Sequence, residues 1–142
     1  MEKPMTDCLP ACPVETTLTL IGDKWKVLIL RDLMSGTKRF GELKKSIGHV
    51  TQKVLTAQLR DMEAKGLLTR KAYAEVLPRV EYTLTATGYS LRPILDSMVA
   101  WGTDYQKQNG GAPCHKTACT AEIAAKIPCT QVLGSYTVTF DR

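Results

Sequence analysis

The sequence predicts an α+β fold, mainly helical, and three stretches carry that expectation. Residues 40–68, FGELKKSIGHVTQKVLTAQLRDMEAKGLL, read as two helices joined by a tight Gly48-His49 turn, the second ending at Gly66. Residues 68–74 and 80–84 are short, rich in Leu, Tyr, Val and Thr, and separated by Glu75-Val76-Leu77-Pro78-Arg79, the pattern of a β-hairpin with a loop longer than a tight turn. After them Leu91, Ile94, Leu95, Met98, Trp101 and Tyr105 recur at three- and four-residue steps, a seam of coiled-coil type. A hairpin directly after the second helix of such a pair makes a winged helix-turn-helix. The expected architecture is a three-helix core plus a two-stranded wing, with N- and C-terminal dimerisation helices.

Taken in order, residues 1–12 are polar and proline-containing, without a period, and form an arm. Pro13 suits the first helical position, which makes Cys12 the N-cap and Val14, Leu18 and Ile21 an apolar stripe. A thiol at an N-cap faces unpaired backbone N–H groups and the positive end of the helix dipole, which favour an anion and raise reactivity. Asp23 caps a second helix, KWKVLILRDLMSG, whose apolar residues point in nearly every direction, so it belongs in the middle of the core. Residues 37–39 are a short link. Phe40, Leu43 and Ile47 give the third helix its inner face and leave Lys38, Arg39, Lys44 and Lys45 outward as candidate phosphate contacts; a solvated face explains any single lysine equally well.

Over residues 51–65 a 3.6-residue period gathers Leu55, Leu59 and Met62 on one side and sets Lys53, Ala57, Arg60 and Ala64 opposite, with Thr56 beside them. The outward face is basic, hydrogen-bonding near its start and slim enough for a DNA major groove. Amphipathic helices are common on ordinary surfaces, so the neighbouring elements decide. In the hairpin, Arg70 and Lys71 lie at the base, and Arg79 is placed at the tip, where it can enter a minor groove, touch phosphate, or simply be a solvated turn residue. Thr85 caps a long last helix ending near Gln108, which Pro93 should kink. This helix packs either against a second subunit or onto its own domain. The dimer is favoured because one short helix reads few bases, whereas two copies about 34–36 Å apart read two half-sites.

The chain has 142 residues, a net charge of +5 and a pI near 9.0, which fits one domain with a tail and permits contact with phosphate without requiring it. The first residues lack the apolar core of a secretory signal, and no run approaches the ~18 apolar residues of a spanning helix, so a cytoplasmic protein with no membrane partner is expected. Five cysteines in a reducing compartment do not form a permanent disulfide framework. The organisation expected is an arm over 1–12, a DNA-binding and dimerisation domain over 13–109, and a cysteine-containing tail over 110–142, in which Tyr136, Val138 and Phe140 alternate like an edge strand.

Three readings compete for the thiols. Cys12 can be oxidised or take an electrophile and be resolved by Cys8, by a tail cysteine or by a partner subunit. Alternatively, Cys8 and Cys12 together with Cys114, His115 and Cys119 can bind zinc, but neither group has paired CxxC spacing. Or Cys12 is a small buried hydrophobe and the tail cysteines, Cys129 included, have no function. Enzymatic readings lack residues: there is no phosphate loop, HExxH or nucleophile elbow, and no CxxC beside a βαβ unit. No cofactor is expected.

The segments CPVETTLTLIGDKWKVLIL, KRFGEL, TQKVLTAQLRDMEAKGLL and VEYTLTATGYSL, in that order over residues 12–105, closely resemble the HxlR-type family of bacterial winged helix-turn-helix transcription regulators. The resemblance implies a homodimer whose first and last helices form the interface, with the helix over 51–65 in the major groove and the loop over 74–80 as wing. It further implies control of nearby genes, in some members through an electrophile- or oxidant-sensing cysteine that corresponds to Cys12. The expected function is a sequence-specific regulator on a pseudo-palindromic operator. Its DNA contacts are Arg39, Lys44, Lys45, Thr51, Gln52, Lys53, Thr56, Arg60 and Arg79, its sensing residues Cys12 and Cys8, and its subunit interface Val14, Leu18, Leu91, Leu95, Met98, Trp101 and Tyr105. The alternative is a winged helix that binds protein or responds to metal.

Overall fold

The structure, a computed structural model, describes residues 9–111. Pro13 lacks an N–H and has a φ suited to a first helical turn, so α1 (Pro13–Ile21) begins there with Cys12 at the N-cap. Asp23 caps α2 (Lys24–Leu33), its carboxylate accepting the Trp25 N–H at 2.8 Å. There follow β1 (Lys38–Arg39), α3 (Phe40–Ile47), α4 (Gln52–Ala64), β2 (Leu68–Tyr73), β3 (Arg79–Leu84), α5 (Ala86–Tyr89) and α6 (Arg92–Gln108). The helix-turn-helix pair is α3 and α4, and the wing is β2 and β3.

The sheet has three strands rather than the two of the expected hairpin, all antiparallel in the order β1-β3-β2. The link over 37–39 is its third strand: Lys38 pairs with Tyr82 and Arg39 with Glu81, and the hydroxyls of Thr37 and Thr83 share a hydrogen bond of 2.7 Å. Two residues show no period in the sequence; only their remote partner makes them a strand.

The core is shared by every layer. Ile29, Leu30 and Leu33 of α2 meet Leu43 and Ile47 of α3, Leu55, Leu59 and Met62 of α4, and Leu68, Tyr82 and Leu84 of the wing. As expected, α2 lies in the middle, although Trp25, Val27, Leu28 and Met34 are only half-buried. Asp32 is buried there too, at 1% exposure, with its Oδ1 bound by Arg31 Nε at 2.9 Å.

The long last helix is broken. α5 ends at Tyr89, and Pro93 falls in the first turn of α6, where a missing N–H costs nothing. The break turns Leu91 and Leu95 into the domain's own core, at 8% and 7% exposure, which corrects their assignment to a subunit interface. Ile94, Met98, Trp101 and Tyr105 stay on the surface.

Both ends of α4 are defined by glycines at positive φ, Gly48 (89°) before it and Gly66 (73°) after it, where a side chain would be strained. The Leu67 N–H returns to the Met62 carbonyl and the Gly66 N–H to that of Glu63, a Schellman ending. Thr85 then ties the far end of the wing to this point, donating through its hydroxyl to Gly66 O at 2.6 Å and through its N–H to Leu67 O. The polar flank of α4 is clamped to the first two helices. Gln58 donates to Asp23 at 3.1 Å, Asp61 pairs with Lys26 and Lys65, and Lys65 donates to Thr19 O at 2.8 Å.

Burial pushes the Asp61 carboxyl up, but hydrogen bonds and charge from Lys26 and Lys65 outweigh it and leave its pKa lowered. A depressed carboxyl contributes stability above the unfolded carboxylate pKa of about 3.9 and loses it as pH falls through the folded value. Asp61→Asn is therefore expected to lower unfolding stability at pH 7, by about 1 kcal/mol or less because the side chain is 42% exposed and screened. In urea titrations its deficit against wild type should shrink below pH ~4; a deficit that is constant down to pH ~3 would contradict the ion-pair account.

Candidate nucleic-acid interface

With Leu55, Leu59 and Met62 turned inward, α4 must present Lys53, Ala57, Arg60 and Ala64 to solvent, and all four are exposed. Gln52 is exposed as well, and Thr56 is half-buried. Two hydroxyls are committed locally. Thr51 Oγ1 accepts the Val54 N–H at 3.3 Å as the N-cap of α4, and Thr56 Oγ1 donates to Gln52 O at 2.8 Å. Thr51 therefore keeps its proton to donate, and Thr56 keeps lone pairs to accept.

A concavity of about 380 Å³ separates α4 from the sheet, with Gln52, Thr56, Arg60 and Glu63 on one wall and Arg70 and Tyr82 on the other. Sequence reading left Arg70 at the base of the wing without a role. The β2–β3 register, with Arg70 opposite Tyr82, brings it across from the reading helix, and no local pattern could have shown that.

Lys26, Arg31, Lys65, Arg79, Arg92 and Lys107 each meet a carboxylate. Arg39, Lys44, Lys45, Lys53, Arg60 and Arg70 make no salt bridge among the described residues, and all are exposed. Lys44 and Lys45 also sit in the last turn of α3, where the helix dipole favours cations.

Arg79 does not stand at the tip of the wing. It is the first residue of β3, paired with Tyr73, and its guanidinium lies 4.2 Å from that ring's centroid. Glu75 at 3.4 Å and Glu81 at 3.3 Å hold it from both sides. The expected place at the tip is corrected accordingly: the cation is held at the base of the loop.

Cys12 is exposed, so the reading of it as a small buried hydrophobe is not upheld. Its carbonyl accepts the Thr16 N–H at 3.0 Å, and the Thr16 hydroxyl donates to Pro10 O at 3.0 Å, which ties the approach segment to the first turn of α1. Cys8, Cys114, His115, Cys119, Cys129 and the alternating stretch at 136–140 lie outside the described residues. On α1 the stripe residues Val14 and Leu18 are exposed, as are Met98, Trp101 and Tyr105 on α6. The rings of Trp101 and Tyr105 stack at 5.2 Å. No described helix is long and apolar enough to cross a membrane.

The family model of the HxlR-like helix-turn-helix matches residues 20–110. The uncharacterized HTH-type transcriptional regulator YdeP of Bacillus subtilis (strain 168) is 46% identical over 101 residues, covering 71% of this chain and 79% of YdeP. YkvN, another uncharacterized HTH-type regulator of that strain, is 49% identical over 98 residues, covering 69% of this chain and 83% of YkvN. The structure of the redox regulator HypR in its oxidized form aligns with a TM-score of 0.63 at 45% identity, covering 66% of this chain and 96% of HypR. A helix-turn-helix pair with an uncompensated basic face, a wing packed beside it and this agreement along the whole domain lead to one assignment: the chain belongs to the HxlR-like helix-turn-helix family and is a transcriptional regulator, not an enzyme.

Proposed function

We propose that the chain acts in the cytoplasm as a homodimer on a pseudo-palindromic operator, with α4 of each subunit in a major groove. The observation that carries this reading is a basic face: Arg39, Lys44, Lys45, Lys53, Arg60 and Arg70 make no salt bridge among the described residues, whereas Lys26, Arg31, Lys65, Arg79, Arg92 and Lys107 each meet a carboxylate. An uncompensated basic face is costly in self-repulsion and suits a polyanion. Gln52, Lys53, Thr56 and Arg60 face base edges; Thr51, Arg39, Lys44 and Lys45 face phosphate, and Arg70 joins them from the wing. Dimerisation is supported by the apolar residues left in solvent on α1 and α6, with Trp101 70% and Val14 68% exposed.

A second reading rests on Cys12. It is exposed at the N-cap of α1, and the chain is similar to HypR, which is a redox regulator. An oxidant or electrophile at this thiol alters the start of the helix that carries Val14 and Leu18, and through the subunit contact alters the spacing of the two reading helices.

Lys53→Ala should cost operator binding about 1–3 kcal/mol and leave random duplex nearly unaffected. Lys45→Ala should weaken both alike and lower the salt slope by about 1. Fluorescence anisotropy on both duplexes over a salt series separates them, and equal losses for both variants would remove the base-reading role. Trp101→Glu should convert dimer to monomer in analytical ultracentrifugation and weaken the operator complex, while its circular dichroism stays that of the folded domain and its melting temperature loses the dependence on protein concentration shown by wild type. For the thiol, Cys12→Ser should bind operator as the reduced wild type does and no longer respond to diamide or quinone; a variant that still responds excludes Cys12 as the sensor.

A further inference from the structure

We propose that the wing contacts the minor groove through an apolar tip, Val76 and Leu77, and that this tip selects A·T base pairs where it docks; the proposal rests on the DNA-binding reading above. Val76 is 101% exposed and Leu77 81%, the largest exposures among the large hydrophobic side chains of the described residues. Residues 74–78, Ala-Glu-Val-Leu-Pro, contain one ionisable group, Glu75, and it faces Arg79. Arg79 is held by two carboxylates and a tyrosine ring at the base of the loop, and Arg39 lies in the hollow beneath it, so no cation stands on the tip itself and the contact the tip makes is apolar.

The tip nevertheless projects beside the reading surface. A concavity of about 420 Å³ beneath it is lined by Leu77 and Pro78 of the loop, by Arg39 and Phe40, and by Val80. Phe40 and Val80 also line the concavity between α4 and the sheet, so the two hollows adjoin. A duplex held by α4 has a minor groove next to its major groove, and the side chains facing it from the wing are Val and Leu. The loop is stiffened for the purpose: Pro78 has a fixed φ, and the stack of Arg79 on Tyr73 holds its base.

Apolar side chains in a minor groove discriminate by what the floor lacks. A·T pairs present only the adenine N3 and thymine O2 acceptors, whereas G·C pairs add the guanine N2 amino group, which fills the groove and loses its water to a contact that offers no acceptor. Arginine, the side chain that sequence reading placed at this tip, would instead be drawn by phosphate and by the negative potential of a narrow groove.

The test uses the full chain and an operator fragment selected from random duplex. Each A·T pair flanking the half-sites is replaced by G·C and, separately, by inosine·C, which keeps the major-groove O6 and N7 acceptors but lacks the N2 amino group. Wild type should lose about tenfold in affinity at the wing-facing positions with G·C and recover to within about twofold with inosine·C. Val76→Ser with Leu77→Ser touches no core residue; it should bind the A·T operator as weakly as wild type binds the G·C form, with no flank preference and with salt slope, melting temperature and dimerisation unchanged. A wild type that binds operator but is indifferent to flanks, inosine·C behaving like G·C, or a double variant that keeps the preference overturns the apolar tip alone. A double variant that changes assembly instead assigns the tip to a protein contact and overturns it too. Failure of wild type to bind any duplex sinks the DNA reading, and this proposal with it.

Discussion

The seat of α4 on α2 is the constraint on which the rest depends. Leu55, Leu59 and Met62 are each buried to about 1% or less against Ile29, Leu30 and Leu33. Burial of such side chains is worth roughly 1.5–3 kcal/mol each, as an upper estimate against an extended chain. The ion pairs beside them, Asp61 with Lys26 and Lys65, lie near the surface, where such pairs give about 0–1 kcal/mol. The apolar stripe therefore decides that α4 docks and which face looks outward. The polar clamps, including Gln58 on Asp23, restrict how it can rotate once docked.

Acidic side chains in this fold are distributed so that they leave the reading surface alone. Glu42 accepts the Arg39 backbone N–H at 2.7 Å and so stabilises the start of α3 without meeting the Arg39 guanidinium. Asp61 faces α2, Glu75 and Glu81 hold Arg79, and Asp96 and Asp104 pair along α6. Glu63 is the exception, since it lines the concavity beside Arg60. A carboxylate there repels phosphate but can accept a hydrogen bond from a cytosine amino group, so it bears on which sequence fits rather than on how tightly any duplex is held.

The two ends of the domain meet solvent differently. On either side of Pro93, Leu91 and Leu95 are drawn into the core, while Ile94 and, farther along α6, Met98, Trp101 and Tyr105 stay uncovered. On α1 the apolar stripe begins two residues after Cys12. In the proposed dimer this puts thiol chemistry and subunit packing on one short helix, so a charge or adduct at the thiol acts on the packing without crossing the core.

Much of this was legible locally. The caps Cys12, Asp23 and Thr85, the stop at Gly66, the inner faces of α3 and α4 and the two wing strands follow from propensity, capping and period, which depend on neighbours within a few residues. The exposed residues of α4 follow from the same period once its inner face is known. What the chain alone left open were matters of distant partners. β1 exists because residues 38 and 39 meet 82 and 81, Arg70 faces the reading helix because the wing pairs in one register, and Leu91 and Leu95 are core because a proline lets the chain turn before α6. Arg79 reads as a free cation in one dimension and is neutralised in three, since Tyr73 reaches it only across the folded hairpin and the pleat of β3 sets Glu81 on its own face. Periodicity reports which side of an element is apolar; it carries no information about what stands opposite, and that is supplied by packing between segments far apart in sequence.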